Sequence, residues 1–461
     1  MSVMAAFAVP HPPIILPEIG RGEEKKISAT AAAYSDVAYQ IAAYKPDTIV
    51  LTSPHSMMYA DYFHISPGTG AKGDFGEFRA PEVRIDAVYD EAFVSALTKN
   101  CDAQGIPAGT LGERKAQLDH GTMIPLYFLN KIYRDYKLVR IGLSGLSPQE
   151  HYRFGQCIAQ TAEKLGRHVV FIASGDLSHK LIAEGPYGFA VQGPEFDRQV
   201  TMAFETGDFL SLLTLPPEFC DAAAECGLRS FQIMAGALDR KRVKPQLLSY
   251  EGPFGVGYGV AAFQVEGEDE SRNFGEQLDM IEVRRLTALR EHEDDYVHLA
   301  RLSVETFVRT GKYAELPRQL SPELFTRRAG AFVTLKKNGV LRGCIGTIEA
   351  LTDCLAEEIL HNAVSACSQD PRFPDVDVYE LPELEYSVDV LTAPEKITSP
   401  EGLNTKRYGV IVEDGDKRGL LLPDLDGVDT VEEQIAIAKR KAGIAENIRP
   451  QLYRFEVVRH H

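Results

Sequence analysis

Short runs of aliphatic and β-branched residues recur through the first 265 residues, and stretches with helical spacing separate them. Thr48–Thr52 (TIVLT), Leu138–Leu143 (LVRIGL) and Val169–Ala173 (VVFIA) are β-rich and give way at once to polar residues or glycine. Between and after them, Thr30–Ala43, Pro148–Leu165 and Ser230–Leu238 repeat their apolar residues at helical intervals. Met4–Val9 reads as the first strand of this series and Tyr258–Val265 (YGVAAFQV) as the last. Strands this apolar must be covered on both faces, so the alternation predicts an α/β unit with a largely parallel or mixed sheet covered by helices.

From Glu266 to Asp295 the chain turns charge-dense and poor in aromatics, which marks a boundary followed by a solvated helix. A length of 461 residues calls for two domains, and we place them at 1–267 and 285–461. The second reads differently. Helix-like Tyr296–Thr310 leads into a hairpin centred on Asn338-Gly339. A helical stretch, Thr352–Cys367, then precedes two alternating segments, LEYSVDVL and GVIVED…GLLLPDL. This pattern predicts an α+β domain with a largely antiparallel sheet.

Bulk properties exclude several classes of function. A net charge of −17 argues against a nucleic-acid surface. No apolar run approaches the roughly 18 residues needed to span a bilayer, and the first residues lack a signal peptide's basic segment, so a cytoplasmic location is expected. The seven cysteines are odd in number, scattered and without CxxC spacing, which argues against a disulfide framework or zinc ribbon.

The histidines of the first domain are more informative. His11 follows the first strand in VPHPPIILPE, between two prolines that restrict the backbone. His55 follows TIVLT, His179 follows VVFIA in SGDLSHK, and His120 opens an apolar helix in LDHGTMIPL. Loops at the carboxyl ends of strands gather at one edge of an open α/β sheet, so these four side chains are expected to converge as a metal or catalytic site. Two histidines with a carboxylate suit non-haem iron, whereas three with a bound water suit zinc hydrolysis. The stretch DAAAECGLRS offers Glu225 and Cys226 as third ligands; equally, Glu225 suits a helix N-terminus and Cys226 a core.

In order and spacing, PHPP, SPHS, LDHGTMIPL, SGDLSH, ECGLRS and EGPFGVGYGV resemble the LigB-type class III extradiol ring-cleavage dioxygenases and their relatives, the Memo proteins, over residues 3–265. The resemblance implies His11 and His55 as iron ligands, with Glu225 as the carboxylate ligand of the dioxygenases or Cys226 as its Memo counterpart. It also implies His179 as the acid/base histidine and His120 as a residue near substrate and oxygen. Asp176 either orients a ligand or caps a turn. The expected cofactor is Fe(II), with zinc or copper as alternatives, and the expected substrate is a catechol-type aromatic together with dioxygen.

In the second domain LRGCIGTIEA, SACSQDPRFPDV and ELEYSVDVL resemble the AMMECR-type family over about residues 290–455. Cys344 follows Gly343, where backbone approach is close. Arg342, two residues before it, is expected on the same strand face, where it would activate the thiol. His361 and Glu385 are candidate partners of that second site. Memo-like, AMMECR-like and radical SAM proteins form a linked system, so the resemblance implies a radical SAM partner. The chain has no CxxxCxxC of its own. A homo-oligomer is a further expectation, and neither nucleic acid nor membrane is an expected partner. Three functions follow for testing, namely an extradiol dioxygenase-like oxidoreductase, a Memo-like metal-binding component of the radical-SAM-linked system, and a zinc-dependent hydrolase.

Overall fold

The four early aliphatic runs become neighbouring parallel strands. In the computed structural model, which describes residues 2–112, 117–425 and 427–461, they are Val3–Val9, Thr48–Ser53, Lys137–Gly142 and Val169–Ser174. Across the sheet the order is 137–142, 48–53, 169–174, 3–9, 258–268, 241–251. The first four strands run parallel. Tyr258–Glu268 and Lys241–Glu251 add an antiparallel hairpin to the Val3–Val9 side, so the sheet is mixed.

The two-residue period of a strand sorts its side chains into two cores. Phe7 and Val9 join Tyr34, Val37 and Ile41 of the helix Ser28–Tyr44 on one face. Ala6 and Ala8 join Phe154 and Ile158 of Pro148–Leu165, and Phe231 and Met234 of Leu228–Ala237, on the other. With both faces covered, polar groups gather where the strands end. Because four strands share one direction, the chain leaves Val9, Ser53, Gly142 and Ser174 at the same edge. The antiparallel Tyr258–Glu268 begins there.

The chain divides into compact units Met1–Met280 and Ile281–His461, with the division inside the helix Phe274–His292. The second unit holds two four-stranded antiparallel sheets. One orders the strands 340–346, 331–337, 384–391 and 457–460, and the helices Asp295–Thr310 and Leu355–Ser368 cover it through Leu299, Val304, Ile359 and Ala363. The other comprises 395–397, 451–455, 409–414 and 417–421, with Ala438 of the helix Val431–Ala442 in its core. At the Asn338-Gly339 hairpin both residues have positive φ, 52° and 76°, as a two-residue type I′ turn requires. Among the described residues no helix is long and apolar enough to cross a membrane.

Asp197, on the helix Gln192–Thr206, ties three elements of the first unit together. Its carboxylate accepts the Ser178 N–H and the Tyr250 hydroxyl, each at 2.7 Å. Burial pushes its carboxyl up to about 7 against the pull of those two donors. A carboxyl that titrates near 3.9 when unfolded and near 7 when folded binds more protons in the native state between those values. Native stability therefore falls as pH rises through that window, by at most about 1.4 kcal/mol per pH unit. Asp197→Asn is expected to lessen this fall by the carboxyl's own share of it. Urea unfolding of the first unit at pH 4.5, 5.5, 6.5 and 7.5 checks it, and parallel pH profiles for the two proteins would contradict it.

Candidate metal centre

At the carboxyl edge of the first sheet, His11 and His55 bring their Nε2 atoms to 3.0 Å. The Cys226 Sγ lies 3.7 Å from the same His11 nitrogen. Among the described residues these three form the one group whose potential metal-binding atoms all fall within 4.8 Å of each other. His120 stands beside them, its ring 4.1 Å from that of His55 and 5.5 Å from that of His11.

Hydrogen bonds set the orientation of His11. The Ser174 hydroxyl, at the end of its strand, donates to the Gly121 carbonyl at 2.6 Å and lies 3.0 Å from His11 Nδ1. With its proton so committed, Ser174 accepts from Nδ1–H, and the His11 lone pair sits on Nε2, facing His55. Asp176 Oδ1 accepts the His11 backbone N–H at 2.7 Å, and the Tyr34 hydroxyl donates to the Pro10 carbonyl. The histidine between two prolines is thus held from backbone and ring alike, and is 1% exposed.

A second set of bonds holds His55 and His120. Asp119 caps the helix His120–Leu129 by accepting the Thr122 N–H at 2.9 Å. It also accepts the Ser53 hydroxyl at 2.6 Å and the Arg140 guanidinium at 2.7 Å, while Ser53 Oγ accepts the His55 N–H at 3.2 Å. A side chain at Gly121 would meet Ser53 Oγ at 2.4 Å, so the helix start approaches this closely because position 121 is glycine. Burial alone would raise the Asp119 carboxyl, but Arg140, Ser53 and Thr122 hold it below the usual range.

Glu225 and Cys226 part company in one turn. Ala224 adopts a left-handed conformation (φ 52°) after the helix Pro217–Ala223. Glu225 then turns back, and its carboxylate accepts the Leu228 N–H at 2.6 Å, at the start of the next helix. Cys226 faces the histidines and receives the Asp176 N–H at 3.3 Å. The structure thus brings His11, His55, His120, Asp176 and Cys226 together and gives Glu225 a helix terminus, where a negative charge meets the positive end of the dipole.

Burial, then the neighbouring His55 charge, lowers His11 well below the usual imidazole range; the same causes, with His11 added, bring His120 down to about 3. Both rings are therefore neutral near pH 7, the form that binds metals. Burial pushes Asp176 up to about 6, Glu225 up to about 7 and the Cys226 thiol well above its ordinary value.

A cleft of about 780 Å³ opens over His11, His55, His120, Asp176 and His179. Its walls are largely apolar, with Ile14, Phe78, Tyr187, Phe254 and Tyr258 among them. His179 stands edge-on to Tyr187 at 5.0 Å, and its buried Nδ1 has no hydrogen-bond partner among the described residues. A larger depression of about 1010 Å³ flanks the hairpin of Gly70–Phe75 and Ala80–Val88, but it contains none of these histidines, and its Lys72 and Asp86 pair with each other at 3.6 Å.

The expected second site is assembled differently. Arg342 grips the Glu380 carboxylate at 2.9 and 2.8 Å and the Pro374 carbonyl at 2.9 Å. The Thr334 hydroxyl lies 3.2 Å from Cys344 Sγ, and the Cys344 N–H donates to Asp370 at 2.9 Å. His361 rests on Tyr313, and Glu385 pairs with Arg285. Gly343 permits the close approach read from the sequence, since a side chain there would meet the Ala366 carbonyl at 2.2 Å.

Ser53, Ser174, Asp119 and Arg140 escaped sequence reasoning as site residues. Serine at the end of an apolar strand, and arginine inside LVRIGL, were the available signals. Arg140→Met keeps most of the volume and leaves the Asp119 charge buried without its cation. Urea unfolding of the first unit should register a loss of about 3–5 kcal/mol, part of which Arg140→Met with Asp119→Asn should restore. An unchanged midpoint in the single variant would contradict this role.

The family model described as the catalytic LigB subunit of aromatic ring-opening dioxygenase matches residues 5–261, and the AMMECR1 model matches residues 297–460. Across its whole length the chain is 41% identical over 468 residues to Protein CA_C1420 of Clostridium acetobutylicum, covering 100% of this chain and 99% of that protein. It is 52% identical over 170 residues to a protein of Thermotoga maritima, covering 36% of this chain and 98% of that one. Among solved structures, the uncharacterized protein PH0010 of Pyrococcus horikoshii shares 35% identity with a TM-score of 0.34, covering 37% of this chain and 90% of that chain.

Proposed function

The chain belongs to the LigB family and carries an AMMECR1 domain behind it, and on that footing we propose that its first domain is a metal-dependent oxidoreductase acting on a small, catechol-like aromatic substrate. The protein ligands are His11, His55 and Cys226. The observation that carries this reading is the approach of two imidazole Nε2 atoms to 3.0 Å, with the thiol 3.7 Å from one of them, beneath an apolar-walled cleft. The donors fit an ion. Around a tetrahedral zinc-sized ion two nitrogens stand about 3.4 Å apart, and nitrogen and sulfur about 3.6 Å. The His11–His55 and His11–Cys226 separations lie within a few tenths of an ångström of those values, and all three donor atoms fall within 4.8 Å of one another.

When bound, the metal supplies Lewis acidity toward two adjacent ring oxygens and the redox capacity for reaction with dioxygen. The chain's own residues do the rest. Ser174 keeps the His11 lone pair on Nε2, and Asp176 anchors the loop that carries it. His179, which lines the cleft, takes the proton that the substrate hydroxyl gives up, and His120 faces the same space. Phe78, Tyr187 and Phe254 cover the ring and exclude water.

Cys226 itself favours a second reading. A thiolate in place of a carboxylate suits softer ions than Fe(II), zinc and copper among them, and fits a Memo-like component that binds metal in a radical-SAM-linked system without ring cleavage, or a zinc hydrolase. The metal separates these readings. Protein reconstituted anaerobically with Fe(II) is expected to consume oxygen with members of a catechol panel. His179→Ala should keep the metal and lose about 10²–10⁴-fold in rate. Elemental analysis should give about one ion per chain, lost in Cys226→Ser and kept in Glu225→Gln, whose amide still accepts the Leu228 N–H. Metal retained by Cys226→Ser and lost from Glu225→Gln would overturn the ligand assignment. Turnover with zinc but not with iron would overturn the oxygen chemistry.

A further inference from the structure

Two of the remaining cysteines form a pair. Cys101 sits in the last turn of the helix Glu91–Ala103 and Cys157 in the middle of Pro148–Leu165. Both are free and buried, and their sulfurs lie 3.3 Å apart. Cys157 is surrounded by groups that stabilise a thiolate. The Cys101 S–H points at its sulfur, the Gln104 amide lies 3.5 Å from it, and Arg153 and Lys164 on its own helix contribute positive charge. Lys164 is held nearby by Asn100 at 2.6 Å, and Arg153 by the Gln104 carbonyl at 3.1 Å.

We propose that Cys101 and Cys157 are a peroxide-reactive dithiol that closes to an intramolecular disulfide between the two helices. The hydrogen bond from Cys101, helped by Lys164, Asn100 and Arg153, lowers the Cys157 thiol against the opposing effect of burial, whereas burial pushes Cys220 up to about 12 and Cys367 up to about 11. Cys157 is thus the nucleophile and Cys101 the resolving partner. The depth of the pair selects a small oxidant, hydrogen peroxide, which reaches it as the last turn before exposed Gln104 and Gly105 opens.

The Cys157 thiolate attacks one peroxide oxygen. An S–O bond forms as the O–O bond breaks, and the departing hydroxide leaves as water with the proton from Cys157. The Cys101 sulfur then attacks the Cys157 sulfur, forming the S–S bond and breaking the S–O bond, and the second hydroxide leaves as water with the Cys101 proton. Two thiols have lost two electrons in all, and one peroxide has become two waters.

The full chain, treated with one to ten equivalents of hydrogen peroxide, denatured in an alkylating agent and mapped by mass spectrometry, tests this. A cross-linked peptide joining Cys101 to Cys157 is expected, removed by dithiothreitol and accompanied by a higher unfolding midpoint. The same experiment in Cys226→Ser separates this pair from oxidation at the metal centre. In Cys101→Ser, Cys157 should be trapped as a sulfenic acid that dimedone labels. Should that variant fail to fold, the cross-link in the unsubstituted chain decides alone. Cys101 and Cys157 both recovered fully alkylated after ten equivalents would overturn the proposal, as would a disulfide joining either one to a third cysteine.

Discussion

Arg140 lies within a strand and is 2% exposed, and the arrangement of the site depends on the carboxylate it meets. Left alone, either charge would be costly there. Paired, they convert a burial penalty into a fixed point, because the Asp119 carboxylate still has lone pairs to offer. One goes to the Ser53 hydroxyl and another to the first turn of the helix that opens with His120. Strand, loop and helix are thereby referred to a single group, and the two histidines flanking it inherit its position.

The turn at Ala224–Gly227 shows how little separates two chemistries. Adjacent residues in an extended segment point in opposite directions, and here a left-handed residue redirects the pair further. The carboxylate is sent to the start of the helix Leu228–Ala237 and the thiol to the histidines. A one-residue ambiguity in reading ECGLRS was therefore an ambiguity in the chemistry itself, between a hard oxygen donor and a soft sulfur donor.

Much of the architecture was legible because it obeys simple periods. TIVLT and VVFIA are strands since nothing else buries so short an apolar run on both sides, and Pro148–Leu165 carries a helical stripe with its start and end as read. Both family resemblances rested on ordered short motifs, and both families match. Lys241–Glu251 stayed hidden for a physical reason. As an edge strand it keeps polar residues along much of its length and tolerates Pro245. The hairpin of Gly70–Phe75 and Ala80–Val88, half-exposed and glycine-bearing, escaped likewise. Histidines at strand ends pointed to the edge where the site lies, but serines and a buried arginine have no signature apart from the bonds they make. In the second domain the strand period suggested Arg342 beside Cys344, yet a guanidinium is long enough to be claimed by Glu380 instead.

The antiparallel hairpin closing the first sheet has a further consequence. Its connection, residues 252–257, returns to the edge where the histidines sit, and Pro253, Phe254 and Val256 help to wall the cleft. The described hydrogen bonds of His11 and His55 reach Ser174, Asp176, Ser53, Cys226 and each other, and none reaches that connection. This part of the wall and the donor atoms thus sit on separate pieces of backbone. Pro253, Phe254 and Val256 can therefore change the shape of that wall without touching the histidine donor atoms, whereas position 257 is fixed as glycine, since a side chain there would meet the Asp197 carboxylate at 2.0 Å.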